Sequence, residues 1–203
     1  MYLSRVTISG AACRNPYEIH RILWKLFPVD ARAKRDFLFR IENVEPQRAE
    51  VLMQSHREPN VATSGDVRIV GSKPYSLQFL MGQRLRFLLL ANPVKTINDE
   101  NGRMNAEDEV KKCRVPLIGD EEQRAWLLRK LSSNAEVVSV FAEKRSPLNF
   151  HKSSERRIGK IQPVCFQGTL KILNPDGFRQ LVFAGIGPAK AFGCGLMSVA
   201  PAA

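Results

Sequence analysis

Cysteine is scarce and scattered: Cys13, Cys113, Cys165 and Cys194 lie far apart, with no C-x-x-C pair. Neither a disulfide framework nor a cysteine zinc site is indicated, and a reducing cytosol fits this usage best. Long hydrophobic runs are missing as well. The most apolar stretch, Phe87 to Ala91, is far too short to cross a bilayer, and the opening Met1-Tyr-Leu-Ser-Arg5 lacks the apolar run of a signal peptide. A soluble, cytoplasmic chain without membrane association is expected. The three histidines and the carboxylates nowhere fall at metal-ligand spacing, so no metal and no cofactor is called for. Acid, finally, is in short supply. Lys and Arg number 31 against 20 Asp and Glu, giving a net charge of +11. That excess attracts polyanions, although a merely solubilising surface would show it too.

The 203 residues suffice for one large or two small domains, and the 44% hydrophobic share supports a packed core. Tyr2 to Ile8 alternates as a strand. A helix follows, with Asn15 as N-cap, Pro16 in its first turn, apolar residues Ile19, Ile22, Leu23 and Leu26, and Pro28 as its end. Phe37–Ile41 and Val51–Gln54 read as strands around a turn near Pro46. Val61 to Ser72 is ambiguous, and Tyr75 to Leu80 is a possible strand. Leu85–Ala91 is a strongly apolar strand, and Asn98–Lys112 reads as a polar loop. Asp120 to Leu131 forms a helix with a capping box from Asp120 and Gln123, and with Arg124, Leu127, Leu128 and Leu131 on one side. Val137–Phe141 is a strand, and Ile161–Leu173 supplies one long strand or two short ones. Asn174-Pro175 opens a helix that Gly185 closes, and Leu196–Val199 is the last strand. From Leu85 onward this order is the split βαβ pattern, and the first part repeats it with a degraded second helix. The expected fold is α+β: two tandem ferredoxin-like (RRM-like) βαββαβ domains, 1–82 and 83–203.

Tyr17, His20 and Trp24 project from one shoulder of the first helix at spacings of three and four, so they are neighbours. Arg14 and Arg21 lie on its outward side. An imidazole and a phenol beside guanidinium groups at a helix start suit phosphate chemistry. RNA carries its own nucleophile, the 2′-hydroxyl. Cleavage needs a base for its proton, an acid for the departing 5′-oxygen and cations for the phosphoryl charge. His20 is the best candidate catalyst, because His56 and His151 lie in polar, loop-like stretches without such company. The bland alternative is a shoulder histidine that only packs on its neighbours.

Gly185-Ile-Gly-Pro-Ala-Lys-Ala-Phe-Gly-Cys-Gly195 precedes the final strand and matches neither the dinucleotide fingerprint nor the P-loop. Gly185, Gly187, Gly193 and Gly195 would allow close approach of RNA phosphates, with Lys190 supplying charge. Alternatively, the turn packs the last helix against the sheet. Arg156, Arg157 and Lys160 form a basic run that could meet A-form RNA through phosphates and 2′-hydroxyls. Aromatic residues do not form the pattern of a sheet-face RRM reader.

Several stretches together resemble the CasE family, the crRNA endonuclease subunit of type I-E Cascade. They are Met1-Tyr-Leu-Ser-Arg5, Asn15-Pro-Tyr-Glu-Ile-His-Arg-Ile-Leu23, Arg35-Asp-Phe-Leu-Phe39, Leu90-Ala-Asn-Pro-Val-Lys-Thr96, Lys112-Cys-Arg-Val-Pro-Leu117, Gly159-Lys-Ile-Gln162 and Gly185 through Pro201. The resemblance implies a metal-independent endoribonuclease of CRISPR repeat RNA that cuts at the 3′ base of the hairpin. It would leave a 2′,3′-cyclic phosphate and a 5′-hydroxyl, then retain the crRNA hairpin among other Cascade subunits. His20 matches the family's catalytic histidine and Tyr17 the tyrosine beside it. Arg21, Lys160 and, by a looser alignment, Arg156 and Arg157 match RNA-binding positions. When free, the chain would be monomeric. Two other readings stay open: a non-catalytic RNA-hairpin-binding subunit of a ribonucleoprotein complex, and a ferredoxin-like small-molecule enzyme with a deep apolar pocket.

Overall fold

The computed structural model describes residues 1–28, 35–60, 65–99, 102–152 and 157–202, apart from the side chains of 149–152 and 157–160. Two four-stranded antiparallel sheets organise the chain. The first holds β1 (Tyr2–Ser9), β2 (Phe37–Glu45), β3 (Arg48–Ser55) and β4 (Val67–Pro74) in the order β2-β3-β1-β4. The second holds β5 (Arg84–Ala91), β8 (Ala135–Lys144), β11 (Val164–Ile172) and β12 (Met197–Pro201) in the order β12-β5-β11-β8. Both orders are those of the split βαβ fold, so the expected tandem ferredoxin-like architecture is present. Outside the sheets lie two ribbons: β6 (Val94–Asn98) with β7 (Lys112–Pro116), and β9 (Leu148–Lys152) with β10 (Arg157–Ile161).

Among the described residues, three α-helices cover the sheets. In α1 (Pro16–Trp24) the Asn15 side chain accepts from the Tyr17 N–H, as an N-cap should, and Ile19, Ile22 and Leu23 are buried. They pack on Val6, Ile8, Phe37, Phe39, Val51 and Met53 of the first sheet. α2 (Asp120–Leu131) and α3 (Pro175–Ala184) bury Trp126, Leu127, Leu131, Phe178 and Val182 against Phe87, Leu89, Phe166 and Leu170 of the second. No helix among the described residues is long and apolar enough to cross a membrane.

Several local expectations are corrected. Tyr75–Leu80 is not a strand. Pro74 ends β4, and Leu77 and Phe79 then lie on the second core, with the Phe79 ring edge-on to Phe178. The stretch 98–112 is more than a loop, because its ends continue the β6–β7 ribbon. Asp99 pins that ribbon by accepting from Arg103 at 2.6 Å. Asp120 does not cap α2; the N-cap is Gly119, and Gln123 turns inward to donate to the Leu117 carbonyl. On the same helix Leu128 is exposed while Trp126 is buried, so the apolar side is rotated from the expected one.

The two sheets are tied by side chains that sequence periodicity does not reveal. Arg40 of β2 is buried, and its guanidinium donates to the carbonyls of Leu88 and Leu196, to Ser198 Oγ at 2.9 Å and to Glu42 at 2.8 Å. Gln54 of β3 donates to the carbonyls of Val182 and Phe183 at the end of α3. Every such bond crosses the seam except that to Glu42.

Candidate active site

The first turn of α1 meets the glycine-rich turn at this seam. Tyr17 is exposed and stacks on Phe192 of the glycine turn, with ring centroids 5.8 Å apart. His20 lies one turn further on, half-buried. Its ring is stacked over Phe39 at 6.2 Å and tilted against Phe37 at 5.5 Å, with Trp24 edge-on and Tyr17 at 6.3 Å. The histidine is thus neither a solvated surface group nor a sealed core residue. Its Nε2 is buried and has no hydrogen-bond partner among the described residues. Burial, and secondarily the positive charge of Arg35, pushes its pKa down to about 4, so the imidazole is neutral at physiological pH.

Arg35 precedes β2, and nothing in the periodicity marks it. It is half-buried, which lowers its own pKa, and no carboxylate among the described residues pairs with it. It lines a cavity of about 790 Å³ together with Arg114, Lys130, Lys190, Trp126 and Phe192. Phe192, by its contact with Tyr17, forms the border between this cationic cavity and the His20 cluster. Arg114, Lys130 and Phe192 also went unremarked as site residues in the sequence. Arg114 sits in the β6–β7 ribbon and Lys130 near the end of α2, each an ordinary surface cation until the fold brings them to one cavity.

The remaining candidates are placed as follows. Arg21 points outward and pairs with Glu18 at 3.2 Å. Lys190 lines the cavity, but its ammonium donates to the Ala184 carbonyl at 2.6 Å, and burial and Arg35 lower its pKa. Gly185, Gly187, Gly193 and Gly195 all have positive φ, between 78° and 98°. A Cβ on Gly185 would lie 2.7 Å from Leu38, and one on Gly187 would lie 2.8 Å from the Trp126 ring. Packing thus requires glycine at both positions, while Gly187 also borders the cavity. Arg157 and Lys160 belong to β10, their side chains outside the described set, and Arg156 lies outside the described residues. Among the described residues, no three His, Cys, Asp or Glu side chains converge as a metal site would require.

A model of the family described as CRISPR associated protein matches residues 1–201. The Escherichia coli (strain K12) "CRISPR system Cascade subunit CasE" is 44% identical over 202 residues, covering 99% of this chain and all of that protein. The chain belongs to the CasE family of CRISPR-associated proteins. Within it, the crystal structure of the CRISPR-associated protein Cas6e from E. coli K-12 superposes with a TM-score of 0.83 at 42% identity, with full coverage of both chains. A structure of the CRISPR endoribonuclease Cse3 bound to a 19-nucleotide RNA superposes at 0.78 and 30% identity, covering 99% of this chain and all of that one. The resemblance that the Asn15–Leu23 and Gly185–Pro201 segments suggest therefore holds across the whole CasE-family fold.

The low pKa of His20 has a measurable consequence for folding. An unfolded histidine titrates near 6.5, so between pH 6.5 and about 4 the unfolded chain binds a proton that the folded chain refuses. Stability attributable to this site is expected to fall as pH drops through that window and to level off below it. Asp36 acts in a lower window. Its bidentate bond from Arg57 holds the carboxyl below the usual 3.8, and that contribution is lost only under more acid conditions. Urea unfolding across pH should show the upper step flattened in His20→Asn and the lower one retained.

Proposed function

We propose that this chain is the endoribonuclease that processes CRISPR repeat RNA in a type I-E Cascade complex, cutting without a metal ion and keeping the crRNA hairpin. The observation that carries this is a neutral, half-buried imidazole whose buried nitrogen has no partner among the described residues, close to a cationic cavity lined by Arg35, which has no carboxylate partner among them either. A buried polar atom left without a partner is costly, and its partner here arrives with the substrate. The relatives named as a Cascade subunit and as an endoribonuclease bound to RNA support the same assignment.

In this scheme the 2′-oxygen bonds to phosphorus as the bond to the 5′-oxygen breaks. A neutral His20 takes the 2′-hydroxyl proton, which a histidine already protonated at pH 7 could not do. The leaving 5′-oxygen gains a proton, so the products are a 2′,3′-cyclic phosphate and a 5′-hydroxyl, and no water is consumed. Tyr17, exposed beside His20 and stacked on Phe192, supplies a hydroxyl and a flat surface at the same point. The cavity cations, the glycine turn and Arg21, Arg156, Arg157 and Lys160 contribute RNA binding. The site draws on both proposed domains, 1–82 and 83–203, and the protein works in the cytoplasm beside other Cascade subunits.

Incubation of the protein with hairpin repeat RNA in EDTA, followed by end-group analysis, tests this. Cleavage with cyclic phosphate ends, abolished by a 2′-deoxy residue at the cut, is the expected result. Cutting that needs magnesium, or that leaves a 3′-hydroxyl, would reject the scheme. RNA that is bound but never shortened would favour the holding subunit.

A further inference from the structure

We infer that Arg35 is the catalytic cation that grips the scissile phosphate at the border of the His20 cluster. The inference rests on the ribonuclease reading and assigns a role within it. Three observations on geometry and chemistry support it.

First, the position is right. Arg35 lines the cationic cavity with Lys190 and Phe192, and Phe192 in turn stacks on Tyr17, the neighbour of His20. Second, the charge is unspent. Many other arginines near the seam are engaged: Arg21 with Glu18, Arg40 with Glu42 and three acceptors across the seam, Arg57 with Asp36. Arg35 has no such carboxylate among the described residues although it is half-buried. A partly desolvated guanidinium without an anion favours an incoming one strongly, and its planar fork matches two phosphoryl oxygens. Third, Lys190, its cationic neighbour, is tethered to the Ala184 carbonyl, which leaves Arg35 the freer of the two.

A phosphate on Arg35 would neutralise the charge that helps to hold His20 neutral. The imidazole pKa then rises towards the working pH, where a base is most effective. Arg35 thus stabilises the charge that builds on the non-bridging oxygens, and it lets the same phosphate tune the base.

The test uses the full-length protein with Arg35→Ala, Arg35→Lys and His20→Ala, read three ways. In single-turnover cleavage of repeat RNA at saturation, Arg35→Ala is expected to be slower by about 10²-fold or more, with Arg35→Lys between it and wild type. Binding of a non-cleavable 2′-deoxy repeat RNA should weaken by less than about tenfold, the loss of one phosphate contact. By NMR, adding that RNA should raise the His20 pKa in wild type and much less in Arg35→Ala. Wild-type cleavage in Arg35→Ala, or an RNA-induced His20 shift that survives the substitution, overturns the inference. If wild type cleaves, His20→Ala does not and Arg35→Ala does, only the role of Arg35 fails. If wild type does not cleave at all, the ribonuclease reading fails and the NMR arm alone decides whether Arg35 is the anchor.

Discussion

Replacing His20 by alanine is expected to lower single-turnover cleavage of repeat RNA by about 10²- to 10⁴-fold, the usual contribution of a positioned general base or acid. RNA affinity should change little, because the imidazole is neutral in the free protein and supplies no charge to hold phosphate. The pH profile gives the sign. In the free protein the proton leaves His20 near pH 4, so the acid limb of kcat/KM should lie far below the 6.5 of an unperturbed histidine. In the RNA complex the surrounding phosphates favour imidazolium, and the acid limb of kcat should move up. An acid limb of kcat/KM at 6.5 would mean that the ring is solvated in the working enzyme. An alanine variant that cuts at the wild-type rate would remove His20 from the chemistry.

The second large effect is structural. Gly185→Ala should destabilise the fold by roughly 2–5 kcal/mol, combining strain at a glycine-only backbone conformation with overpacking. Gly185 closes α3 with φ 78° and ψ 151°, and a methyl there would sit 2.7 and 2.8 Å from the two terminal carbons of Leu38. Leu38 belongs to β2 and Gly185 to the second half, so the clash would push apart the elements that carry His20 and Phe192. A double-mutant cycle separates the two causes. Leu38→Ala in the Gly185→Ala background should recover the steric part and leave the backbone strain. Denaturant unfolding measures it; a loss under about 0.5 kcal/mol would show that the turn adjusts freely.

How far the sequence carried the fold depends on what each signal reports. The α1 helix was legible to its cap, because Asn15-Pro16 and the 19/22/23/26 spacing are local chemistry, and Asp120–Leu131 has the bounds expected. Strand order followed from the repeated split βαβ pattern. Tyr75–Leu80 misled, since alternating apolar residues suit a chain lying across a core edge as well as a strand. The β6–β7 ribbon was hidden because a two-stranded arm outside the cores has little hydrophobic alternation to show. At the site, Tyr17 and His20 were visible as helix neighbours, whereas Arg35, Arg114 and Lys130 come from three distant segments. Only tertiary folding makes them a set. For the glycines, sequence left open whether they approach phosphate or packing, and Leu38 and Trp126 supply the packing partners.

Arg40 has a bearing on how this architecture tolerates change. Of its acceptors across the seam, two are main-chain carbonyls, from Leu88 and Leu196, and only Ser198 offers a side chain. Carbonyls are present whatever residue occupies a position. A chimera that grafts a relative's second half onto residues 1–74 would therefore keep most of this joint, and sequence drift in β5 and β12 need not loosen the angle between the halves.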